Sequence, residues 1–264
     1  MEMIKKCEVF QREPDGKIHY RCTEGIIRWD NKLYVARWQG RQLNPSRFAD
    51  LENPKLLKTE DRGPLVEPSW TLAPTGGVYY IKTPSLFDYR GEVEDMIRRE
   101  IETYETLERH PHPHVVRYHG YRENRGRVSG LCLERCALTL AEKVDPRHLN
   151  KNEFLSSGRL LVDDTLHLDG ILSAVAHLHS LGLVHNDITP SNILIAEDGG
   201  LLLGDFDSSC RIGKPLMDGS TGTKRTHGWH DPNITLASPQ NDLDALKELQ
   251  TWLIGSSTND FIFK

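Results

Sequence analysis

Short runs of apolar residues in the first 38 positions favour β-strands. Three runs of β-branched and aromatic residues predict strands at 17–20, 25–29 and 32–38. Asp30-Asn31, between the last two runs, predicts a two-residue turn. The chain is therefore expected to begin with a β-rich region that contains a hairpin.

Residues 39–75 show no comparable pattern. They are polar and contain five prolines, which remove backbone donors and interrupt regular ladders. We expect a long irregular insertion there, with at most a short helix near 45–51.

A strand and a helix are predicted after the insertion. Residues 76–82 form a mostly apolar run that ends at Lys82 and predicts a strand. Between 88 and 109, apolar residues recur every three or four positions with charged residues between them, which predicts an amphipathic helix. The predicted helix contains two closely spaced acidic residues, Glu100 and Glu102, which lie on different faces of it.

The rest of the chain alternates short strands with helices. Helices are predicted at 163–180, where Leu181-Gly182 signals the end, and at 242–253, whereas the polar stretch 141–162 predicts a loop. Strands are predicted at 115–121, 127–134, 193–195 and 201–203. The candidate buried residues of the helix predicted at 163–180 are Leu166, Leu168, Ile171, Leu172, Val175 and Leu178.

Composition excludes some classes of protein. Charged residues make up 27% and hydrophobic residues 38%, as in ordinary globular domains, and 264 residues can bury a sizeable core. The net charge of −5 argues against a dedicated nucleic-acid-binding protein, which usually carries a basic excess. We therefore expect one bilobal domain or two small ones, with no nucleic-acid partner.

Cysteine usage and the absence of long apolar runs suggest a cytoplasmic protein, with the nucleus as the alternative. The five cysteines are scattered, and the pair Cys132 and Cys136 has no second pair nearby, which predicts reduced thiols rather than a zinc site. The N-terminus lacks an apolar signal core, and no run of about 18 apolar residues occurs. Neither secretion by the usual signal nor a membrane span is expected.

Three histidines alternate with prolines after the helix that contains Glu100. His110, His112 and His114 occupy every second position, a spacing that does not converge three imidazoles from one helix face. We interpret this stretch as a turn rather than a metal site.

The strongest chemical signal is the spacing of three polar residues. Asp187 is followed five residues later by Asn192, and Asp205 lies beyond two apolar runs that predict a hairpin. A carboxylate can accept a hydroxyl proton, and the oxygens of Asn192 and Asp205 are the hard ligands that Mg²⁺ prefers. Phosphoryl transfer requires this set of groups.

These residues carry a resemblance to a known family. The loop at 185–192 resembles the catalytic loop of the protein-kinase fold, and Asp205-Phe206-Asp207 resembles its metal motif. Over about residues 76–254 the chain is similar to a divergent group of kinase-like proteins of filamentous fungi. The resemblance implies an α+β, bilobal protein-kinase-like fold: a β-rich N-lobe (1–134) that includes the insertion, and a shortened α-helical C-lobe (135–264) ending near helix F. The loop reads His185-Asn186-Asp187-Ile188-Thr189-Pro190-Ser191-Asn192.

The resemblance also implies ATP and Mg²⁺ as cofactors and a role for each site residue. Asp187 would be catalytic together with Lys82 and Asn192. Lys82 would hold the α- and β-phosphates, oriented by Glu100, and the metal ligands would be Asn192 and Asp205. The residues implied to line the nucleotide site further are Leu133, Glu134, Cys136 and Leu194.

The chain departs from the family pattern at several positions. Asn186 replaces an arginine that usually reads a phosphate on the activation segment, and Thr189 replaces a lysine near the transferred group. Asp207 replaces a glycine beside the metal site, and Tyr80 stands where a small alanine usually lies above adenine. The sequence also lacks the Gly-x-Gly-x-x-Gly stretch that usually covers the phosphates.

Three further stretches fit the resemblance less closely. Residues 208–230 resemble an activation segment, and Thr226 begins a stretch similar to its end. The helix at 242–253 resembles helix F, with Asp242 as its buried capping residue. The hairpin at 25–38 is a candidate for the first two strands of the small lobe, or for an additional β-element.

Three functions remain open from the sequence. The first is an atypical protein kinase that transfers the γ-phosphate of ATP to a Ser or Thr hydroxyl of a protein substrate. The second is a catalytically weak or inactive pseudokinase that acts through a binding partner. The third is a small-molecule phosphotransferase. No membrane partner is expected, and the oligomeric state stays open.

Overall fold

The described residues form two compact units. The first unit comprises residues 1–62 and 84–93, and the second comprises 63–83 and 94–264. The predicted lobe boundary at residue 134 lies within the second unit, and the division into lobes at this residue stays a prediction. The computed structural model describes residues 1–12, 18–41, 48–59, 62–87, 93–157, 167–216, 223–255 and 257–263.

The first unit contains a four-stranded antiparallel sheet in which the strands lie side by side in chain order. The predicted Asp30-Asn31 turn is present, and both residues adopt the positive φ that a two-residue hairpin turn requires (48° and 56°). The strands are β1 (Glu2–Arg12), β2 (Ile18–Trp29), β3 (Lys32–Trp38) and β4 (Glu52–Leu56). The buried residues Ile27, Ala36, Trp38 and Leu51 form its core cluster.

The sequence underestimated the regular structure in the first unit. The strand β1 was not predicted, because its alternating charged residues carry little apolar signal. The insertion predicted at 39–75 contains β4 and a 3₁₀ turn at Phe48–Asp50. Positions 42–47, where the short helix was predicted to start, lie outside the described residues.

The second unit has a separate three-stranded sheet, whose last strand in chain order lies in the middle. Its strands are β5 (Tyr80–Lys82), β6 (Tyr118–Asn124) and β7 (Arg127–Leu133). In this sheet Tyr80 pairs with Leu133, and Lys82 pairs with Leu131. The hairpin at 25–38 belongs to the other sheet, so the interpretation as the first two strands of the small lobe is wrong and the additional β-element is the better description.

The helix α1 (Val93–Arg109) confirms the predicted amphipathic helix from residue 93 onward, and positions 88–92 lie outside the described residues. Ile97, Ile101, Tyr104 and Leu107 are buried along one side. Glu100 is buried among them, so its carboxylate requires a partner inside the protein.

Helices contribute more of the regular structure than strands do in the described remainder of the second unit. Where the structure describes this region, it contains four helices: α2 (Leu140–Val144), α3 (Lys151–Ser156), α4 (Asp169–Ser180) and α5 (Pro239–Ile254). One short strand, β8 (Leu138–Thr139), precedes α2. Four more lie between α4 and α5: β9 (Leu183–Val184), β10 (Ile193–Ile195), β11 (Leu201–Leu203) and β12 (Cys210–Arg211). No helix among the described residues is long and apolar enough to cross a membrane.

Two helical predictions need correction. The polar stretch predicted as a loop contains α2 and α3, because a capping box between Thr139 and Glu142 starts the first and the Asn150 side chain caps the second. The helix α4 begins at Asp169, and positions 158–166, including Leu166, lie outside the described residues. Leu172 was predicted to be buried but is 50% exposed.

The segment that follows α5 packs back onto the helical region. Phe261 and Phe263 are buried, and the buried carboxylate of Glu248 accepts hydrogen bonds from the backbone N–H groups of Ile262 (2.7 Å) and Phe263 (3.4 Å). Lys151 of α3 forms an ion pair with the same carboxylate. The cost of burying the Glu248 carboxylate is offset because it has both an ion-pair partner and hydrogen-bond donors.

Candidate active site

A hairpin brings two of the predicted site residues to one end. In it β10 and β11 pair antiparallel, with Ile193 opposite Leu203, and the backbone N–H of Gly204 donates to the carbonyl of Asn192 (2.9 Å). Asn192 immediately precedes β10, and Asp205 follows β11 by two residues. The apolar hairpin therefore serves as the frame on which these two oxygen-bearing side chains are placed.

Asn192 is held by the residue predicted as the proton acceptor. Its amide nitrogen donates to the backbone oxygen of Asp187 (2.8 Å) and to the carboxylate of Asp187 (3.1 Å). Both contacts use the nitrogen, so the amide oxygen is the atom left to bind a cation. Asn192 thus orients the Asp187 carboxylate and presents a hard oxygen at the same time.

Asp242 holds the loop that carries Asp187. Its fully buried carboxylate accepts hydrogen bonds from the backbone N–H groups of His185 (2.9 Å) and Asn186 (2.8 Å) and from the His179 ring (2.9 Å). The prediction that Asp242 caps its own helix is wrong, because Ser238 is the N-cap of α5. Asp242 instead accepts hydrogen bonds from backbone N–H groups of the catalytic-loop candidate.

Asn186 takes part in fixing the loop from inside. It is buried and adopts a left-handed backbone conformation (φ 65°), which is uncommon for a residue other than glycine. Its side-chain nitrogen donates to the carbonyls of Val184 and Ser208 (3.3 Å each), and its oxygen accepts from Asn241 (3.1 Å). The short amide therefore ties the loop to the start of the segment after Asp207.

Lys82 lies between two carboxylates. Its ammonium nitrogen is 2.6 Å from Glu100 Oε1 and 2.7 Å from Asp205 Oδ1. Asp205 also adopts a left-handed backbone conformation (φ 60°), and strained positions of this kind concentrate at functional sites. The structure thus joins strand β5, helix α1 and the end of the hairpin through one lysine.

Burial and charge shift the pKa values of this cluster. Burial raises the pKa of Glu100 to about 7, although Lys82 opposes the shift. Burial alone would lower the pKa of Lys82, but Glu100 and Asp205 raise it well above its usual value. Burial would raise the pKa of Asp205, yet the charge of Lys82 holds it below its usual value. Lys82 and Asp205 are therefore charged at neutral pH, and Glu100 titrates near it.

A column of aromatic rings stands behind the polar groups. The rings of Tyr118 and Tyr104 stack at 5.1 Å between centroids, Tyr104 meets Phe206 edge-on at 5.2 Å, and Phe206 lies 5.1 Å from His185. Phe206 and His185 are fully buried. This column packs strand β6, helix α1, the metal-motif candidate and the catalytic-loop candidate against one another.

The stretch near Thr226 reaches the predicted catalytic aspartate. Thr226 donates its backbone N–H to Asp187 Oδ1 (2.7 Å) and its hydroxyl to Asp187 Oδ2 (3.1 Å). Two residues earlier, Lys224 lies 3.6 Å from Asp207 Oδ2, and the Ser208 hydroxyl donates to the carbonyl of Lys224. Positions 217–222 of the predicted activation segment lie outside the described residues.

The other predicted nucleotide-site residues lie at two places: Leu133 ends β7 and is followed by Glu134 and Cys136, whereas Leu194 lies in β10. Leu133 is buried, and the backbone N–H of Glu134 donates to the carbonyl of Arg117 (2.9 Å). Cys136 and Leu194 are partly exposed, and burial raises the pKa of the Cys136 thiol to about 11. Tyr80, on the neighbouring strand β5, leaves 57% of its surface exposed. A thiol with this pKa is protonated at neutral pH and acts as a packing group.

The histidines of the turn after α1 contact other side chains and the backbone. The described residues contain no group of three metal-ligating side chains that could hold an ion. The ring of His112 stacks on that of His177 (5.1 Å), and His114 Nδ1 bonds to the carbonyl of Leu201 (2.9 Å). The imidazoles therefore serve packing and hydrogen bonding.

Some functional contacts were missed from the sequence. The contact of Thr226 with Asp187 carries no local signal, although the threonine itself was singled out. Tyr104 and Tyr118 were predicted only as apolar positions of a helix and a strand. No spacing in the sequence indicates that their rings stack in one column. Lys224 was not selected, because an isolated lysine in a polar segment has no pattern around it.

Comparison with known proteins gives matches to one family. The model of the protein kinase domain matches residues 71–257. The serine/threonine-protein kinase/endoribonuclease IRE2 of Homo sapiens is 32% identical over 152 residues, which are 54% of this chain and 15% of that protein. The corresponding IRE1 of Hypocrea jecorina (strain QM6a) is 33% identical over 132 residues, 47% of this chain and 10% of that protein. Myosin-IIIa of Mus musculus is 27% identical over 170 residues, 62% of this chain and 10% of that protein. The chain thus spans only a small part of the length of these relatives.

Proposed function

Because the protein kinase domain accounts for residues 71–257, the chain belongs to the protein kinase family, and we propose that it transfers the γ-phosphoryl group of ATP to a Ser or Thr hydroxyl of a protein. The observation that carries this proposal is the three-way contact of Lys82 with Glu100 and Asp205. A lysine fixed between two carboxylates presents a directed charge for phosphates, rather than a freely moving surface charge.

The residues present fit a magnesium ion. Asn192 offers an amide oxygen because its nitrogen is already used, and Asp205 offers a carboxylate oxygen besides the one bonded to Lys82. Two hard oxygens from the protein, with phosphate and water oxygens completing the shell, are a usual arrangement for Mg²⁺. When bound, Mg²⁺ would neutralise negative charge on the phosphates.

Each residue has a defined task in the proposed reaction. The hydroxyl oxygen of the substrate attacks the γ-phosphorus, and the bond between that phosphorus and the bridging oxygen breaks with its electron pair leaving on ADP. Asp187 accepts the hydroxyl proton. Lys82 binds the α- and β-phosphates, and Asn192 keeps the Asp187 carboxylate in position. Positioning and charge stabilisation supply most of the rate in such reactions.

A second candidate function rests on Tyr80. Its phenol projects from β5, is 57% exposed, and occupies the position expected to cover adenine. Together with the missing glycine stretch, this favours a pseudokinase that binds partners without turnover. The small-molecule phosphotransferase is disfavoured, because the relatives named above are described as protein kinases or myosin.

The first test is a thermal-shift titration with ATP, with and without Mg²⁺. We expect a saturable, Mg²⁺-dependent rise in melting temperature, since a ligand that binds only the folded state stabilises it. Asp205→Ala should remove the rise, whereas the control Glu197→Ala, an exposed carboxylate in the turn of the same hairpin, should retain it. No shift at millimolar MgATP would overturn the proposed transfer and favour the pseudokinase.

A separate assay identifies the chemical class of the molecule that accepts the phosphoryl group. Phosphorylation of a Ser/Thr peptide library should be detected, and small alcohols should not be phosphorylated. The reverse result would replace the protein substrate with a small molecule while leaving the nucleotide site intact.

A further inference from the structure

Lys151, the first residue of α3, contacts three separate parts of the second unit. Its ammonium forms an ion pair with the fully buried carboxylate of Glu248 in α5. It also donates to the backbone carbonyls of Gly228 and of Phe263 (3.0 Å). An ammonium group has three donors, so these contacts use all of them. Lys151 therefore joins α5, the segment 257–263 and the end of the predicted activation segment at one point.

Aromatic rings enclose this ammonium. It lies 4.6 Å from the ring centroid of Phe261 and 5.3 Å from that of Trp229, distances at which a cation is attracted to a ring face. Trp229 in turn meets Trp252 of α5 edge-on at 6.2 Å. The Lys151 side chain is only 14% exposed, so solvent screens these contacts little. Lys151 thus holds two consecutive residues, Gly228 through its carbonyl and Trp229 through its ring.

The two residues held by Lys151 belong to a turn that begins at Thr226. The backbone N–H of Trp229 donates to the carbonyl of Thr226 (3.1 Å), which closes the turn. Gly228 inside it adopts a positive φ of 80°, a conformation that favours glycine. Thr226 itself donates its backbone N–H and its hydroxyl to the carboxylate of Asp187. A shift of Gly228 or Trp229 is therefore transmitted through one closed turn to the proposed proton acceptor.

We propose that Lys151 is a positioning residue for phosphoryl transfer, which sets the turn 226–229 and, through Thr226, the orientation of the Asp187 carboxylate. This inference rests on the proposed function and adds a residue that acts through the turn rather than on the nucleotide. A buried ion pair is by itself weak evidence for stability. This one also bonds to carbonyls of two separate segments, and one of those segments leads directly to Asp187.

A purely structural lysine would give a different result. If Lys151 only stabilised the packing of α3 on α5, its loss would lower the melting temperature, and the molecules that stay folded would keep the native kcat. Loss of a positioning residue lowers kcat in the folded molecules themselves. MgATP affinity should stay unchanged, because Lys82 is held by Glu100 and Asp205.

The test is a double-mutant cycle that measures kcat for peptide phosphorylation, KM for the peptide and the affinity for MgATP. It compares the native protein, Lys151→Met, Thr226→Val and the variant with both substitutions. Methionine keeps much of the length of lysine but removes its charge and its donors. Lys143→Met, at an exposed lysine of α2, is the matched control. The fraction of each preparation that binds MgATP gives the concentration of folded protein from which kcat is calculated.

We expect Lys151→Met to lower kcat about tenfold with unchanged MgATP affinity, since a small misplacement of a catalytic group is costly. Thr226→Val, which costs about tenfold in the native protein, should cost only about twofold once Lys151 is replaced, because coupled residues are not additive. Lys143→Met should behave as the native protein. A native kcat in Lys151→Met, or losses that multiply to about a hundredfold in the double variant, overturns the inference alone.

A second variant separates positioning from folding. Lys151→Met leaves the Glu248 carboxylate buried without its ion-pair partner, whereas Lys151→Met/Glu248→Gln removes both charges and keeps an oxygen for the backbone N–H of Ile262. If the single variant does not fold, this pair takes its place in the cycle, and the same outcomes decide. If the pair does not fold either, Lys151 serves stability alone and the inference is wrong. A native protein that binds MgATP but phosphorylates no peptide overturns the proposed function together with it.

Discussion

Thr226 donates two hydrogen bonds to the carboxylate of Asp187, although 39 residues separate them. One bond comes from the backbone and one from the hydroxyl, so the contact fixes the segment as well as the side chain. Both oxygens of Asp187 are thereby oriented before any substrate is bound. Substitutions of Asp187 and of Thr226 should therefore affect phosphoryl transfer in different ways.

Replacing Asp187 with Asn should abolish phosphoryl transfer without unfolding the protein. The amide keeps the shape of the side chain but cannot accept the hydroxyl proton, and losing a general base typically costs about 10²–10⁴-fold in rate. Peptide phosphorylation measures the rate, and circular dichroism and the melting temperature check the fold. Full activity in this variant would refute the assignment of Asp187.

Replacing Thr226 with Val should lower kcat about tenfold and leave ATP affinity unchanged. Valine removes the hydroxyl bond and retains the backbone bond, and a hydrogen bond to a charged group is worth about 1.5–3 kcal/mol. Thr226→Ser, which keeps a hydroxyl, is the matched control and should stay close to the native rate. If both variants are equally slow, the hydroxyl is not what positions Asp187.

Nucleotide affinity should rise with pH through about 7. Glu100 must be ionised to hold Lys82, and burial raises its pKa to about 7. MgATP binding is measured between pH 6 and 8 for the native protein and for Glu100→Gln, whose profile should be weaker and lack this rise. Parallel profiles for the two proteins would show that another group controls the pH dependence.

The same group should lower stability as the pH rises. The folded protein retains the Glu100 proton up to about pH 7, whereas the unfolded chain releases it near 4.5. Because the folded state binds more protons in this window, its contribution to the free energy of unfolding falls between these pH values. Urea denaturation across the window should show a steeper loss in the native protein than in Glu100→Gln.

Replacing Asp242 with Asn should destabilise the second unit. The buried carboxylate accepts three hydrogen bonds, and an amide can satisfy only part of this set, for a loss of about 2–5 kcal/mol. The nearby Asp244, whose carboxylate bonds only to the Gln240 side chain among the described contacts, is the control, and Asp244→Asn should stay within about 0.5 kcal/mol. Equal urea midpoints for the two variants would contradict the role of Asp242.

Replacing Tyr80 with Ala should increase the affinity for MgATP. Tyr80 places a large, half-exposed ring at the position expected to cover adenine, and removing it makes room for the base. Tyr80→Phe retains the size and should bind as the native protein does. A lower affinity in Tyr80→Ala would mean that the ring stacks on the nucleotide rather than obstructing it.

Local patterns in the sequence were sufficient for several elements of the site. The spacing of Asp187, Asn192 and Asp205 around two apolar runs predicted the hairpin, because adjacent antiparallel strands must carry their flanking residues to one end. The periodicity around Glu100 predicted helix α1, since one buried stripe determines that helix. These features depend on neighbours within about 20 residues.

Other features depend on partners far along the chain and could not be predicted in this way. The contacts of Thr226 and Lys224 join polar segments that have no periodicity. The fourth strand, β4, contains Pro54 and lies at a sheet edge, where the residue pattern matters less than pairing with β3. The helix α3 lies in polar sequence, and its start depends on the Asn150 cap rather than on apolar spacing.

The aromatic column has a consequence for synthesis on the ribosome. Tyr104 and Tyr118 emerge first, but His185 and Phe206, which complete the column, follow only after most of the chain has been made. Contacts between such distant positions form late, because the intervening chain must be closed into a loop first. The contact of Tyr104 with Phe206 therefore cannot form until late in translation, and until then the stacked pair of tyrosines lacks the cover that Phe206 gives it.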